Sequence, residues 1–164
     1  MATVLLSLGS NLGDSVQIIN DAIADIKGTS GIFNVCVSPF YLTKPVGYLD
    51  QNDFTNIAAS INTTLPPLEL LKLMQELEYK YKRVRLFKDG PRTLDIDLIA
   101  YDRLILNTQK LTLPHPRMHM RAFVLAPLND IVPDFIVCGH EKSVNCLYNE
   151  LPQDEINGVK RING

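Results

Sequence analysis

The spacing of apolar residues constrains the fold more than any other feature, because it changes between two periods along the chain. A strand places alternate residues on one face, whereas a helix places residues three and four apart on one face. Residues 3–8 form a short apolar run that predicts a buried strand ending at Gly9. Apolar residues at helical spacing follow it: Val16, Ile19, Ile23 and Ile26. Gly28 then stands where a helix would end.

Two further strand patterns follow this helix. Residues 32–41 alternate apolar with polar side chains until Pro39 interrupts them. Residues 54–64 are rich in residue types that favour strands. The segment between them, residues 43–53, is rich in Pro, Gly, Asp and Asn and therefore predicts a loop.

A second helix and a fourth strand complete the pattern. Pro66 and Pro67 suit the start of a helix. Its apolar side is formed by Leu70, Leu73, Met74, Leu77 and Tyr81. A loop at 86–91 then precedes an apolar strand at 93–101. The order strand, helix, strand, strand, helix, strand predicts an α+β fold of the ferredoxin-like βαββαβ type, with the helices packed on an antiparallel sheet.

The pattern is weaker after residue 101. It suggests an edge strand at 104–106, a proline-containing loop at 111–120, a helix at 121–129 and a last strand at 135–137. These elements would be C-terminal additions to the same core. With 164 residues and no linker or repeat, we expect a single domain over residues 1–164.

Composition and charge restrict the class of protein. The formal net charge is −2, whereas nucleic-acid-binding domains usually carry a strong basic excess. The basic residues instead gather between Lys80 and Arg92, which suits a small anionic ligand. No segment reaches the roughly 18 apolar residues needed to span a bilayer, and no basic stretch precedes the first apolar run. We therefore expect a cytosolic protein that binds small molecules, but neither nucleic acid nor membranes.

The sharpest chemical signal is the sequence Arg-Thr-Leu-Asp-Ile-Asp-Leu at 92–98. In a strand, Asp95 and Asp97 would share one face while their apolar neighbours point into the core. Adjacent carboxylates repel each other, and Mg²⁺ removes that repulsion because it prefers carboxylate oxygens, waters and substrate phosphates. The alternative is a pair of exposed aspartates on an edge strand. The apolar strand and the preceding Gly-Pro turn favour the metal site.

Basic residues just upstream point to phosphate binding. They are Arg83, Arg85, Lys88 and Arg92. Arginine forks match phosphate oxygens in bidentate pairs, so beside two metal-binding carboxylates this segment predicts a triphosphate clamp. A solvated basic loop is the alternative. Lys110 and Arg121 would add charge from the far side. The glycines at 9–13 predict only a tight turn, because the segment lacks the lysine and the Ser/Thr of a Walker loop.

Several segments, in order along the chain, resemble the 6-hydroxymethyl-7,8-dihydropterin pyrophosphokinase family. The strongest is Gly-Pro-Arg-Thr-Leu-Asp-Ile-Asp at 90–97. The others are Leu-Gly-Ser-Asn-Leu-Gly at 8–13, Phe-Thr-Asn at 54–56, Arg-Val-Arg at 83–85, Leu-Pro-His-Pro-Arg-Met at 113–118 and Arg-Ala-Phe at 121–123. Together they run over residues 4–128, and the fold of the family is the ferredoxin-like one expected from the pattern of elements.

The resemblance implies an enzyme of folate biosynthesis. It would transfer pyrophosphate from ATP, its co-substrate, to 6-hydroxymethyl-7,8-dihydropterin, and two Mg²⁺ ions held by Asp95 and Asp97 would bridge the phosphates. It would act on these small molecules as a monomer. The loops at 43–53 and 86–90 would close over the substrates and exclude water.

The resemblance also implies residue roles. Phe54 and Phe123 would sandwich the pterin ring, and Asn56, Asp95 and backbone groups at Thr43 and Val46 would complete its site. The ATP site would comprise Gln75, Glu78, Arg83, Arg85, Arg92, Leu98, Lys110, Leu111, Thr112, His115 and Arg121. Catalysis would depend on Asp95, Asp97, Arg92, Arg83 and Arg85.

The chain departs from the family pattern at a few positions. Lys88 and Asp89 stand where an aromatic residue and an arginine are frequent, in a loop that is one residue shorter. Phe54 replaces a common tyrosine, Lys110 a frequent arginine, and Pro116 a frequent aromatic residue. Two rival functions stay open from the residues alone: another metal-dependent nucleotidyl or phosphoryl transferase with an Asp-x-Asp pair, and a non-catalytic binding module of the same fold.

Overall fold

The computed structural model describes residues 1–44, 50–81 and 93–162. Its strands are β1 (Ala2–Ser10), β2 (Ile32–Val37), β3 (Tyr41–Thr43), β4 (Phe54–Thr63), β5 (Asp95–Tyr101), β6 (Leu106–Asn107), β7 (Thr112–Leu113), β8 (Ile136–Val137), β9 (Lys142–Ser143) and β10 (Val159–Arg161). Its helices are α1 (Ser15–Lys27), α2 (Pro67–Lys80), α3 (Ala122–Ile131), α4 (Val144–Asn149) and α5 (Gln153–Asn157), with a 3-10 turn at Met118–Met120. Within these described ranges, no helix has the length and apolar character to cross a membrane.

Six strands form one antiparallel sheet in the order β10-β3-β4-β1-β5, with β2 also paired to β4. β1 is central, since it pairs along its length with β4, from Ala2 opposite Thr63 to Ser10 opposite Thr55. Its other edge pairs with β5. β6 with β7, and β8 with β9, form separate two-stranded sheets.

Each face of the sheet carries its own apolar cluster. Alternate residues of β1 separate them, because Val4, Leu6 and Leu8 pack with one cluster and Leu5 with the other. The first cluster contains the buried sides of α1 and α2. The second contains buried residues of α3 and α4. Helices therefore cover both faces, and α3 covers the face that also carries the polar residues of the site.

Local features stabilise the starts of the two long helices. The Asp14 carboxylate accepts a hydrogen bond of 3.3 Å from the Gln17 backbone N–H at the start of α1. Pro67 occupies the first turn of α2, where its missing N–H costs no hydrogen bond. The predicted helical spacing is confirmed for Ile19, Ile23 and Ile26, which are buried on the inner side of α1. The prediction is wrong for Val16, which lies in the first turn of the helix and is 42% exposed.

Several predicted elements differ from the structure. The segment at 32–41 is two strands, β2 and β3, because Pro39 breaks the run. The predicted edge strand at 104–106 is displaced to β6, which pairs with β7 inside the segment predicted as a loop. The predicted last strand at 135–137 is β8, which lies outside the main sheet. The last strand is β10, whose edge position depends on long-range pairing with β3.

The tight turn predicted at 9–13 is also partly wrong. β1 continues through Gly9 to Ser10, and only Gly13, with φ of 81°, adopts the left-handed backbone of a turn. Gly9 stays in the strand because it is paired on both sides, with Asn56 of β4 and Asp95 of β5. A glycine that appears to end a strand in the sequence is therefore central to the sheet.

Candidate active site

A cavity of about 430 Å³ lies over the part of the sheet that α3 leaves uncovered. One side, the strand wall, is formed by Ser7, Gly9, Thr43, Lys44, Phe54, Asn56, Asp95 and Asp97. The rest of the lining, the helix wall, comes from α3, α5 and the 3-10 turn with the residues that flank it: Arg117, Met120, Arg121, Phe123 and Glu155. The cavity thus combines three carboxylates, two phenylalanine rings and two arginines in one space.

Strand register places the two aspartates on the strand wall. Asp95 lies opposite Gly9, and Asp97 lies opposite Ser7. Both aspartates are half-buried, whereas the intervening Ile96 is 5% exposed and belongs to the apolar core on the other face. The predicted alternation is therefore confirmed over residues 94–98: Asp95 and Asp97 line the cavity, whereas Leu94, Ile96 and Leu98 pack in the apolar cluster on the other face.

The amide of Asn56 is held firmly in the same wall. Its Nδ2 donates a hydrogen bond of 2.9 Å to Thr43 Oγ1, and the residue is only 4% exposed. Gly9 makes room for it, since a Cβ built on Gly9 would lie 2.7 Å from Asn56 Oδ1. These three residues form a polar recess beside Phe54, built from β1, β3 and β4.

Glu78 supports the strand wall from behind. Its carboxylate is buried and accepts a hydrogen bond of 2.8 Å from the backbone N–H of Ile96. Ile96 lies between the two aspartates, so α2 fixes the strand that carries them. This contact assigns Glu78 a structural role, and its predicted place in the ATP site stays a prediction.

The helix wall is formed at the start of α3. Phe123 lies in the first turn of that helix, and the guanidinium carbon of Arg121 is 5.3 Å from the centroid of its ring. Phe123 and Phe54 line the same cavity, one from the helix wall and the other from the strand wall. This arrangement suits a flat, polar-edged ring system, because aromatic faces pack well against heterocycles.

His115 lies at the edge of this region in a neutral form. Its Nδ1 accepts a hydrogen bond of 3.1 Å from the backbone N–H of Arg117. Burial lowers its pKa to about 4, assisted by the charges of Arg121 and Arg117 and opposed by Asp95. The imidazole therefore carries its single proton on Nε2 at neutral pH, where it can act as a hydrogen-bond donor.

The other residues predicted for ATP are spread more widely. Among the described members of that set, Arg121 is the one that lines the cavity. Leu98 and Leu111 are buried in the core, Gln75 and Lys110 are exposed, and Thr112 is half-buried in β7. Val46, Arg83, Arg85 and Arg92, together with the loop containing Lys88 and Asp89, lie outside the described residues.

Sequence reasoning missed six residues of the cavity: Ser7, Gly9, Lys44, Arg117, Met120 and Glu155. For Ser7 and Gly9 a signal existed, because small residues two apart interrupt the face of an otherwise apolar strand. Glu155 lies far along the chain in a segment to which the sequence assigned no role. Only folding brings it to the cavity.

The carboxylate pair fits a hard divalent cation. Across residues 1–44, 50–81 and 93–162, no group of three or more His, Cys, Asp and Glu side chains could hold a metal. Mg²⁺ does not need such a group, since it commonly uses one or two carboxylates and completes its shell with waters and substrate phosphates. Asp95 and Asp97 offer this donor set on one wall of a cavity large enough to admit phosphates.

Comparison with known proteins identifies clear relatives. The model of the family described as 7,8-dihydro-6-hydroxymethylpterin-pyrophosphokinase (HPPK) matches residues 5–133. A 2-amino-4-hydroxy-6-hydroxymethyldihydropteridine pyrophosphokinase from Bacillus subtilis (strain 168) is 44% identical over 126 residues, which is 77% of this chain and 75% of the relative. The enzyme of that name from Haemophilus influenzae (strain ATCC 51907 / DSM 11121 / KW20 / Rd) is 42% identical over 137 residues, or 84% of this chain and 86% of the relative.

The fold also has a solved counterpart. The crystal structure of Plasmodium falciparum HPPK-DHPS wild type with pterin and p-hydroxybenzoate superposes with a TM-score of 0.76. The match covers 99% of this chain but 45% of that longer chain, at 16% sequence identity. At this identity the likeness shows the fold alone.

Proposed function

The chain belongs to the HPPK family and is a transferase of the pyrophosphokinase type in folate biosynthesis, and from this premise we propose its reaction. It transfers pyrophosphate from ATP to 6-hydroxymethyl-7,8-dihydropterin, with Mg²⁺, and gives AMP and the pterin diphosphate. The observation that carries the proposal is the cavity lined by two carboxylates of one strand together with Phe54 of β4 and Phe123 of α3. A binding module without catalysis has no need for the carboxylate pair.

The pterin would bind between Phe54 and Phe123. In the polar recess of Thr43, Asn56 and Gly9, the Asn56 amide would form hydrogen bonds with the polar edge of the pterin. Its hydrogen bond to Thr43 already orients it for this. A buried, oriented amide discriminates strongly, since a ligand without the matching group leaves it unpaired. Phe54, in place of the tyrosine frequent in the family, keeps the stacking surface.

The phosphates would lie beside the aspartates. Asp95 and Asp97 would hold two Mg²⁺ ions, and when bound these ions supply neutralisation of phosphate charge. Arg121 would bind phosphate from the helix wall, and neutral His115 would donate a hydrogen bond from Nε2. Arg83, Arg85 and Arg92, with Gln75, Lys110, Leu98, Leu111 and Thr112, remain our predictions for the rest of the ATP site.

The reaction would be an in-line displacement. The hydroxymethyl oxygen of the pterin forms a bond to the β-phosphorus of ATP, the bond from that phosphorus to the oxygen bridging the α-phosphorus breaks, and AMP leaves. Asp97 is our candidate to accept the hydroxyl proton. Most of the acceleration would come from positioning and charge stabilisation, as is usual for transfer of phosphoryl groups.

Four finer assignments accompany this proposal. The strand order β2-β4-β1-β5, antiparallel throughout, supports a ferredoxin-like βαββαβ core. A single domain over residues 1–164, a monomeric state and a cytosolic location remain predictions from the sequence. The monomer is tested by light scattering of the purified chain, where a dimer mass would contradict it.

Analysis of the nucleotide product tests the reaction. Purified protein is incubated with ATP, Mg²⁺ and 6-hydroxymethyl-7,8-dihydropterin, with controls that lack the pterin or the metal. We expect AMP in equal amounts with pterin diphosphate, and only in the complete mixture. ADP or free pyrophosphate as the product would identify a different phosphoryl or nucleotidyl transferase, and no turnover by folded protein would contradict the proposal.

A further inference from the structure

Glu155 extends the cavity beyond the part of the chain that the family match covers. Among the described residues that line the cavity, it alone lies after residue 133, where that match ends. It is carried by the short helix α5 at Gln153–Asn157, far in sequence from every other lining residue. Its presence in the helix wall therefore calls for a physical reason.

The reason is a contact with the start of α3. Glu155 Oε1 accepts a hydrogen bond of 3.2 Å from the backbone N–H of Ala122. Ala122 is the first residue of α3, and the residue before it, Arg121, provides no side-chain cap. The first backbone N–H groups of a helix have no partner within the helix, so an acceptor oxygen that bonds one of them stabilises the helix start.

This capped residue lies between two residues of the proposed site. Arg121 precedes Ala122 and Phe123 follows it, and both line the cavity. The peptide that Glu155 holds is therefore the one that sets where the arginine and the aromatic ring project. Any shift of the Ala122 backbone would move both side chains together.

The same C-terminal segment holds the other end of α3. Arg161 of β10 donates a hydrogen bond of 2.7 Å to Asp130 Oδ1, and the Tyr41 hydroxyl donates to Asp130 Oδ2. β10 also pairs with β3, with Val159 opposite Thr43 of the strand wall. The segment from α5 to β10 thus links the helix wall to the strand wall.

We propose that Glu155 is a positioning residue for the pterin site, which acts by capping α3 and so fixing Phe123 and Arg121 relative to the strand wall. This inference rests on the proposed function for the identity of the ligand. The Glu155 carboxylate acts through the hydrogen bond that it accepts from the Ala122 N–H, and not through contact with the substrate. Length and acceptor capacity at position 155 therefore matter more than charge.

Three substitutions separate the contributions of side-chain length, acceptor capacity and charge at position 155. Glu155→Gln keeps the length and an acceptor oxygen but removes the charge, Glu155→Asp keeps the charge but is one methylene too short, and Glu155→Ala removes both. Asp154→Ala is the matched control, since Asp154 is the exposed neighbour on the same helix. Each variant is assayed in the full chain for the dissociation constant of 6-hydroxymethylpterin by calorimetry, for kcat and KM, and for folding by circular dichroism.

We expect Glu155→Asp and Glu155→Ala to weaken pterin binding by about fivefold to tenfold, the effect of losing one helix cap. Glu155→Gln and Asp154→Ala should stay within about twofold of the wild type. Wild-type binding by Glu155→Asp, or a Glu155→Gln variant as weak as it, would overturn the capping role. If the wild-type protein binds no pterin and forms no AMP, the proposed function fails first, and that result is distinct from a normal wild type with unaffected variants.

Discussion

The two walls of the cavity are built by different kinds of interaction. The strand wall depends on backbone pairing, because Gly9 lies between Asn56 and Asp95 in a continuous antiparallel ladder. The helix wall depends on a few side-chain contacts, such as that of Glu155 with Ala122. Groups on regular elements are held more precisely than groups on loops, and Arg117 and Arg121 of the helix wall lie outside the helices. The carboxylates, whose geometry the chemistry uses most strictly, lie on the more rigid wall.

The largest effect should come from the strand wall itself. Asp97→Asn removes one metal-binding carboxylate without altering shape, so kcat should fall by about a thousandfold or more, equivalent to the several kcal/mol that metal ions contribute to such reactions. Circular dichroism and melting should remain close to those of the wild type, since the side chain lies outside the apolar core. Asp134→Asn, at an exposed aspartate away from the cavity, is the control. Near-normal turnover by Asp97→Asn would remove this residue from the mechanism.

A methyl group at Gly9 tests how closely the strand wall is packed. The Cβ of Gly9→Ala would lie 2.7 Å from Asn56 Oδ1, so the amide must move away from its bond to Thr43. We expect kcat/KM to fall by about a hundredfold, because displacement of a positioning group by about 1 Å has effects of that size.

Gly28→Ala is the control for this change, since its nearest contact would be 3.6 Å away and its φ of −84° suits alanine. Steady-state kinetics of both variants provide the measurement. Equal kcat/KM values for the two variants would show that the strand wall adjusts to the added methyl group and is no more rigid than the helix wall.

Loss of the aromatic ring tests the helix wall. Phe123→Ala should weaken pterin binding by about tenfold, in line with the contribution of one aromatic pair, and should change kcat less than Asp97→Asn does. Phe33→Ala is the matched control, because Phe33 is 46% exposed on β2 and lies outside the cavity. Calorimetric titration with the pterin measures both. A Phe123→Ala variant that binds pterin as the wild type does would contradict the proposed sandwich.

The last prediction concerns the pH dependence of stability, not of activity, and involves His115. Its pKa of about 4 in the folded protein lies below the ordinary 6.5, so the unfolded chain binds more protons between these values. The contribution of neutral His115 to the free energy of unfolding is present in full above pH 6.5 and is lost as the pH falls towards 4. The free energy of unfolding should therefore drop less over this range in His115→Gln than in the wild type, as measured by urea denaturation. An imidazole that titrates near 6.5 in an NMR experiment would contradict this.

Much of the strand wall follows from the sequence. Alternation on β5 places Asp95 and Asp97 on one face with Ile96 in the core, because the period of a strand is a local property of the backbone. The two long helices follow in the same way from their apolar spacing and their first turns. The local pattern does not indicate which strands pair. For this reason Gly9 is predicted to end a strand, although it is held between two neighbouring strands.

The arrangement of the helix wall depends on tertiary contacts that the sequence does not indicate. The sequence indicates that Phe123 belongs to a helix, but it does not indicate that Glu155 caps this helix or that β10 pairs with β3. Glu155 and Ala122 are distant along the chain, and only the packed fold brings the carboxylate to the orphan N–H group. Within each element, the local period of the sequence already indicates which side chains share a face. How the elements meet depends on long-range pairing and capping, which have no local period from which they could be inferred.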